Sequence, residues 1–181
     1  MTTTWSIFQR EAPAVPEAEV EWNAVFASEL PRIYNFFRYR LDDSDLAEDL
    51  TAATFEKAWR ARARYRKDRA AFSTWLYTIA RNVATDYFRR RRDDLPLDVL
   101  REVPAPQTPV ELSERQAEYA ELSALLAGLP ARERELIALK HGAGLSNREI
   151  ARLTRLSESN VGTILARVTA RLRAQRNEAN R

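Results

Sequence analysis

The chain has 181 residues, enough for one domain or two small ones, with 45% hydrophobic and 30% charged residues and a net charge of +3. It has no cysteine and a single histidine, His141, which excludes disulfides, thiolate zinc sites and histidine-based metal clusters and leaves no plausible catalytic triad. No apolar run approaches the roughly 20 residues that span a bilayer, and the start, MTTTWSIFQREA, lacks a signal-peptide pattern, so the expected location is cytoplasmic with no membrane insertion. Only four glycines, abundant Ala, Leu, Arg and Glu, and no alternating strand pattern predict an all-α chain.

Residues 1–18, with Pro13 and Pro16, read as a flexible leader. A helix is predicted from Glu19 to Tyr39, with Trp22, Val25, Phe26, Leu30, Ile33, Phe36 and Phe37 inward and Pro31 as a possible kink or break. Asp42, Asp43 and Ser44 offer N-caps for a second helix reaching about Ala63. On that helix Asp45, Glu48, Asp49, Ala52 and Glu56 share one face, while Phe55, Ala58 and Trp59 face inward. Taken alone, such an acidic stripe reads as a solvated surface.

The basic loop from Tyr65 to Ala71 leads into FSTWLYTIARNVATDYFRRRR, Phe72 to Arg92. Phe72, Trp75, Leu76, Ile79, Ala80, Val83, Ala84 and Tyr87 form a buried stripe at helical spacing. Ser73, Thr74, Tyr77, Thr78, Arg81, Asn82, Thr85 and Arg89 make the wet side, and four arginines end the run. Aromatic, amide and guanidinium groups on a wet face suit base stacking and phosphate contact, although a core helix with a basic end carries the same pattern. Trp75 fits either core or stacking, and its place in the stripe favours core.

Residues 93–110 hold four prolines without periodicity and read as a flexible linker. Helices follow over Glu111–Leu126, stopped near Gly128, and over Ala131–Lys140, closed by Gly142 and Gly144 with His141 near the end. Ser146 opens a third with Glu149 as capping-box partner, and Ser157 a fourth to about Gln175. The last two have helix-turn-helix spacing, with Arg155 where the turn commonly prefers glycine. Glu158, Ser159, Asn160, Thr163, Arg167 and Arg171 then point outward, with chemistry that reads base edges and phosphates in a major groove. The expected architecture is two small helical domains on a Pro-rich tether, residues 19–92 and 111–177, with a tail at 178–181.

Three motifs together resemble a bacterial RNA polymerase sigma factor of the sigma-70 family, extracytoplasmic-function (ECF) subfamily. AEDLTAATFEKAWR (Ala47–Arg60) is similar to the family's polymerase-docking helix, and Phe72–Arg92 to its promoter-melting, −10-reading helix. The run LPARERELIALKHGAGLSNREIARLTRLSESNVGTILARVTARLR is similar to its −35-reading domain, sigma region 4, a winged-helix-like helix-turn-helix. The resemblance implies a non-enzymatic subunit without cofactor that directs promoter recognition, melting and transcription initiation. It assigns Asp45, Glu48, Asp49, Ala52 and Glu56 to the coiled coil of the polymerase β′ subunit, with further contact to β. It assigns Tyr65, Arg66, Lys67, Arg69, Phe72, Ser73, Tyr77, Arg81, Asn82, Arg89 and Arg90 to the −10 element, where trapping an unpaired base offsets the cost of unstacking. Glu158, Ser159, Asn160, Thr163, Arg167 and Arg171 fall to the −35 duplex, and an anti-sigma factor is the implied regulator. The chain departs from the family at Ala52-Ala53, where Gln-Glu is usual. A two-domain transcription regulator that binds duplex DNA without polymerase is the alternative; it needs neither the acidic face nor the aromatic loop.

Overall fold

The computed structural model describes residues 22–41, 43–68, 71–93 and 114–179. Most of the leader and linker lie outside these residues, as does Arg69. Every regular element described is helical: α1 (Trp22–Arg40), α2 (Ser44–Ala61), a 3₁₀ turn (Arg62–Arg64), α3 (Phe72–Asp93), α4 (Glu114–Ala127), α5 (Ala131–Ile137) with a π-helical turn (Ala138–Gly142), α6 (Asn147–Thr154) and α7 (Glu158–Ala179).

Pro31 does not divide α1; the helix runs through it unbroken. The buried side chains Ile33, Phe36 and Phe37 follow within two turns, and their packing holds a helix that propensity alone would not. Asp43 caps α2, its Oδ1 accepting from the backbone N–H groups of Asp45 (2.9 Å) and Leu46 (3.0 Å). Thr51 and Thr54 are buried in α2 without cost in lost hydrogen bonds, because each hydroxyl donates to the carbonyl four residues back. Leu76, Tyr77, Ala80, Val83 and Ala84 of α3 complete the N-terminal core.

Among the C-terminal helices, α5 ends in a turn that widens. Ala143 N–H donates to Ala138 O (2.9 Å), five residues back, and Leu145 N–H to Leu139 O (3.0 Å). This places Gly142 flat against α1, where an added Cβ would lie 2.8 Å from the Asn35 carbonyl oxygen. Ser146 caps α6 in a full capping box with Glu149, and Arg155 closes that helix at φ 58°. A side chain thus adopts the left-handed turn that glycine more often fills.

The two halves do not stand apart. Buried residues of α1, α2 and α3 and those of α5, α6 and α7 belong to one continuous apolar cluster. The two helical regions pack on one another because α1 carries apolar surface on both sides of the junction and Gly142 lacks the side chain that would keep the backbones apart.

Candidate functional site

Three surfaces carry the chemistry anticipated from sequence, and each begins with a helix face. On α2, Asp45, Glu48, Asp49, Ala52 and Glu56 are all exposed, as their spacing requires. Among the described residues, only Glu56 of this face holds an ion pair, to Arg60 one turn on (2.6 Å). Trp59 departs from expectation. It lies 49% exposed, its ring stacked under the Arg62 guanidinium at 4.1 Å and edge-on to Trp22 at 5.5 Å.

Beside this acidic face runs an apolar groove between α1 and α2, with a volume of about 740 Å³. Trp22, Phe26, Leu30 and Tyr34 of α1 form one wall and Ala52, Phe55 and Trp59 of α2 the other. Phe26 and Leu30, expected inward, are 47% and 37% exposed here. They lie on the correct helical stripe, but α2 reaches only its lower edge, where Phe55 meets Phe26 at 4.7 Å.

The second surface surrounds the start of α3. Tyr65, Phe72 and Trp75 are half-buried and packed ring against ring at 5.3–5.4 Å, with Trp22 closing the cluster. Desolvation raises the Tyr65 hydroxyl above its ordinary range. Arg66 is forked onto Asp68 (3.1 Å on both arms), which holds that carboxyl below the usual range, and Lys67 is exposed. Asn82, Arg89 and Arg90 are exposed along the helix, with Arg89 on Asp86 at 3.2 Å.

Tyr77 corrects the sequence reading of the wet side. It is fully buried, edge-on to Phe36 at 5.9 Å, and burial pushes its hydroxyl well above the ordinary phenol range. Its hydroxyl finds no hydrogen-bond partner among the described residues. The wet arc of α3 is narrower than its sequence pattern suggests, because α1 takes Tyr77 and the end of α6 takes Arg81. Ser73 is half-buried on the same helix and helps hold the Glu149 carboxyl of α6 below its ordinary range. Arg81 is engaged rather than free: Nε donates to Glu135 Oε1 (2.9 Å) and Nη1 to the Leu153 carbonyl at the end of α6.

The third surface is the outer face of α7. Glu158, Ser159, Asn160 and Thr163 are exposed at its first turns, with Asn160 N–H donating to the Ser157 capping hydroxyl (3.2 Å). Arg167 and Arg171 both reach back to Glu133 of α5, at 3.0 Å for Arg167, and these cations hold the Glu133 carboxyl below its ordinary range. Gly162 lets α7 approach Asn147 of α6, whose Nδ2 would lie 3.4 Å from a Cβ there.

Between the second and third surfaces is a polar seam that sequence reading missed. Glu135 receives both Arg81 and Arg40 Nη1 (3.2 Å), and Arg32 Nε donates to the Ala143 carbonyl (2.9 Å). Burial lowers the Arg40 pKa against the opposing pull of Glu135. Nothing in RERELIALK distinguishes Glu135 from the other charged residues of the run, since its partners lie 54 and 95 positions away.

A helical domain with an acidic flank, an aromatic loop entering a basic helix, and a helix-turn-helix packed beside them together define a promoter-binding subunit. Comparison with known proteins gives the family. Residues 25–93 match the model for Sigma-70 region 2, and residues 119–172 that for Sigma-70, region 4. The ECF RNA polymerase sigma factor SigM of Bacillus subtilis is 30% identical over 145 residues, covering 78% of this chain and 86% of that protein. RpoE of Cereibacter sphaeroides, also an ECF sigma factor, is 28% identical over 150 residues, covering 83% and 81%. Among solved structures, RpoE of Bartonella quintana, crystallised with the anti-sigma factor NepR, has the same fold with TM-score 0.63 at 24% identity, covering 84% of this chain and 94% of that one. CnrH in complex with the cytosolic domain of CnrY gives TM-score 0.66 at 24% identity, covering 87% and 88%. The chain belongs to the ECF RNA polymerase sigma factors, subunits that bind polymerase and recognise promoters. Among the described residues no helix is long and apolar enough to cross a membrane.

Proposed function

We propose that each of the three surfaces performs one step of initiation. The exposed acidic face of α2 docks on a basic coiled coil of the polymerase β′ subunit, with β contacted in addition. Opposite charge steers that encounter and fixes its register. The observation that carries this reading is the exposure of Asp45, Glu48, Asp49, Ala52 and Glu56 on one side of a single helix, with only Glu56 tied to a cation among the described residues. Asp49→Arg should abolish recovery of core polymerase in a pull-down while the helical circular dichroism is unchanged; full recovery of core would remove α2 from the interface.

At the −10 element, the aromatic cluster of Tyr65 and Phe72 at the mouth of α3 receives an unstacked base. Lys67, Asn82, Arg89 and Arg90 hold the strand, and Arg66 and Arg69 contribute phosphate contacts from the loop. Tyr77 supports this wall from beneath rather than touching DNA. On α7, Ser159, Asn160 and Thr163 address base edges of the −35 duplex, Glu158 can accept from cytosine, and Arg167 and Arg171 exchange Glu133 for phosphates. These roles divide the chain into residues 19–92 and 111–177, joined by 93–110. An anti-sigma factor is the proposed regulator, as found with the Bartonella quintana relative. Run-off transcription with core polymerase on genomic fragments tests the whole assignment, since a duplex-binding regulator without polymerase docking yields no transcript.

A further inference from the structure

We infer that the groove between α1 and α2 is the binding site for the chain's own N-terminal segment, residues 4–10. Trp22, Phe26, Leu30 and Tyr34 recur every four residues, the spacing of a helix stripe meant to be covered, yet Phe26 and Leu30 remain exposed. An apolar trough of this size beside exposed Trp59 is more than scattered surface hydrophobes.

The occupant follows from chain length, pattern and charge. Trp5 and Phe8 are three positions apart, one helical turn, and Ile7 adds a third apolar side chain. Pro13 and Pro16 separate this short run from α1 and favour a change of direction before it. Phe8 lies fourteen positions before Trp22, which itself lines the groove. At about 3.3 Å per extended residue that tether spans more than 40 Å. The wall from Trp22 to Tyr34 is only about 18 Å long at 1.5 Å per helical residue, so the segment can reach all of it. Residues 4–10 carry Arg10 and no acid, whereas the groove is rimmed by Glu48 and Glu56. The acids that follow, Glu11, Glu17, Glu19 and Glu21, all lie between this run and Trp22.

The consequence is competition in cis. Glu48, Ala52 and Glu56 line the groove and also belong to the proposed polymerase-docking face, so a seated leader covers part of that face. This consequence rests on the docking assignment; the seating of the leader does not.

The absence of native cysteine makes the test direct. In the full chain, Gln9→Cys is paired with Ala52→Cys in the groove wall or with Lys57→Cys on another side of the same helix, and disulfide formation is followed under mild oxidation. Gln9 is chosen because it leaves Trp5, Ile7 and Phe8 intact. The expected result is an intramolecular bond forming at least tenfold faster to position 52 than to position 57, with the difference lost on adding Trp5→Ala and Phe8→Ala. Equal rates overturn the proposal and leave the groove to a separate protein. A bond forming only between two chains overturns it in favour of a second copy. Removing residues 1–18 should raise affinity for core polymerase severalfold. If the disulfide is selective but affinity does not change, the leader is seated and the docking assignment of the groove wall fails.

Discussion

Single residues decide how the two halves meet. Gly142 matters for its missing side chain: an added Cβ would press on the α1 backbone at Asn35 and Phe36, which cannot move aside as a flexible side chain could. Gly142→Ala should therefore cost about 1–3 kcal/mol, the usual range for overpacking a filled site. Gly128→Ala is the matched control, because the nearest atom to its Cβ is the Leu125 carbonyl oxygen at 3.8 Å. Equal melting temperatures for the two variants would count against the close approach. Tyr77 gives the opposite expectation. Its ring fills the core beside Phe36 but its hydroxyl is buried without a partner, so Tyr77→Phe keeps the packing and removes a desolvated polar group. Denaturant unfolding should show Tyr77→Phe unchanged or up to about 1 kcal/mol more stable, whereas a clear loss of stability means the hydroxyl is bonded in solution. In the sequence Gly142 reads as an ordinary helix stop and Tyr77 as a residue of the wet side of its helix, and neither backbone approach nor burial can be read from spacing alone.

At the scale of elements, local signals wrote themselves into the structure most faithfully at helix starts. Asp43 caps α2, Ser146 and Glu149 form the capping box of α6, and Ser157 caps α7, all through hydrogen bonds spanning two or three residues. These are short-range interactions, so sequence contains both partners side by side. The Glu149 carboxyl is held below its ordinary value, first by the Ser146 backbone N–H and then by the Ser146 hydroxyl. A lowered carboxyl pKa stabilises the fold above the ordinary value of 4.5 and loses that contribution as pH falls through the folded value. Glu149→Gln preserves the box with a neutral partner and should flatten the acid limb of a stability-versus-pH curve below 4.5. An acid limb identical to wild type would assign the pH dependence elsewhere, with Glu133 the next carboxyl to test. Element faces are less legible than element starts. Trp59, Phe26 and Leu30 lie on correct apolar stripes but on the side that no described helix covers, whereas Tyr77 lies on a polar-looking side and packs against Phe36 of α1.

For the whole molecule, the described arrangement is a closed one. Arg81, assigned to the −10 element, is bound to Glu135 and to the end of α6, and Arg40 converges on the same carboxylate. DNA engagement by Arg81 therefore requires this seam to part. Glu135 and Arg40 are mostly shielded from water, so removing the negative charge they share should cost the closed form about 3 kcal/mol, roughly a hundredfold in the closed-to-open ratio. Glu135→Gln is expected to raise the radius of gyration in small-angle scattering and to tighten binding of a duplex carrying both promoter elements. An unchanged scattering profile would show that the apolar junction alone keeps the halves together. The sequence by itself determined the all-helical class, the helix starts, the acidic face of α2, the exposed face of α7 and the family motifs, because each depends on residues a few positions apart. Only the tertiary structure decided that the two halves share one core, that Arg81 and Tyr77 are withdrawn from solvent, and that α1 and α2 leave a groove between them. Those outcomes depend on residues dozens of positions apart meeting at one place, and helical periodicity carries no record of which faces meet.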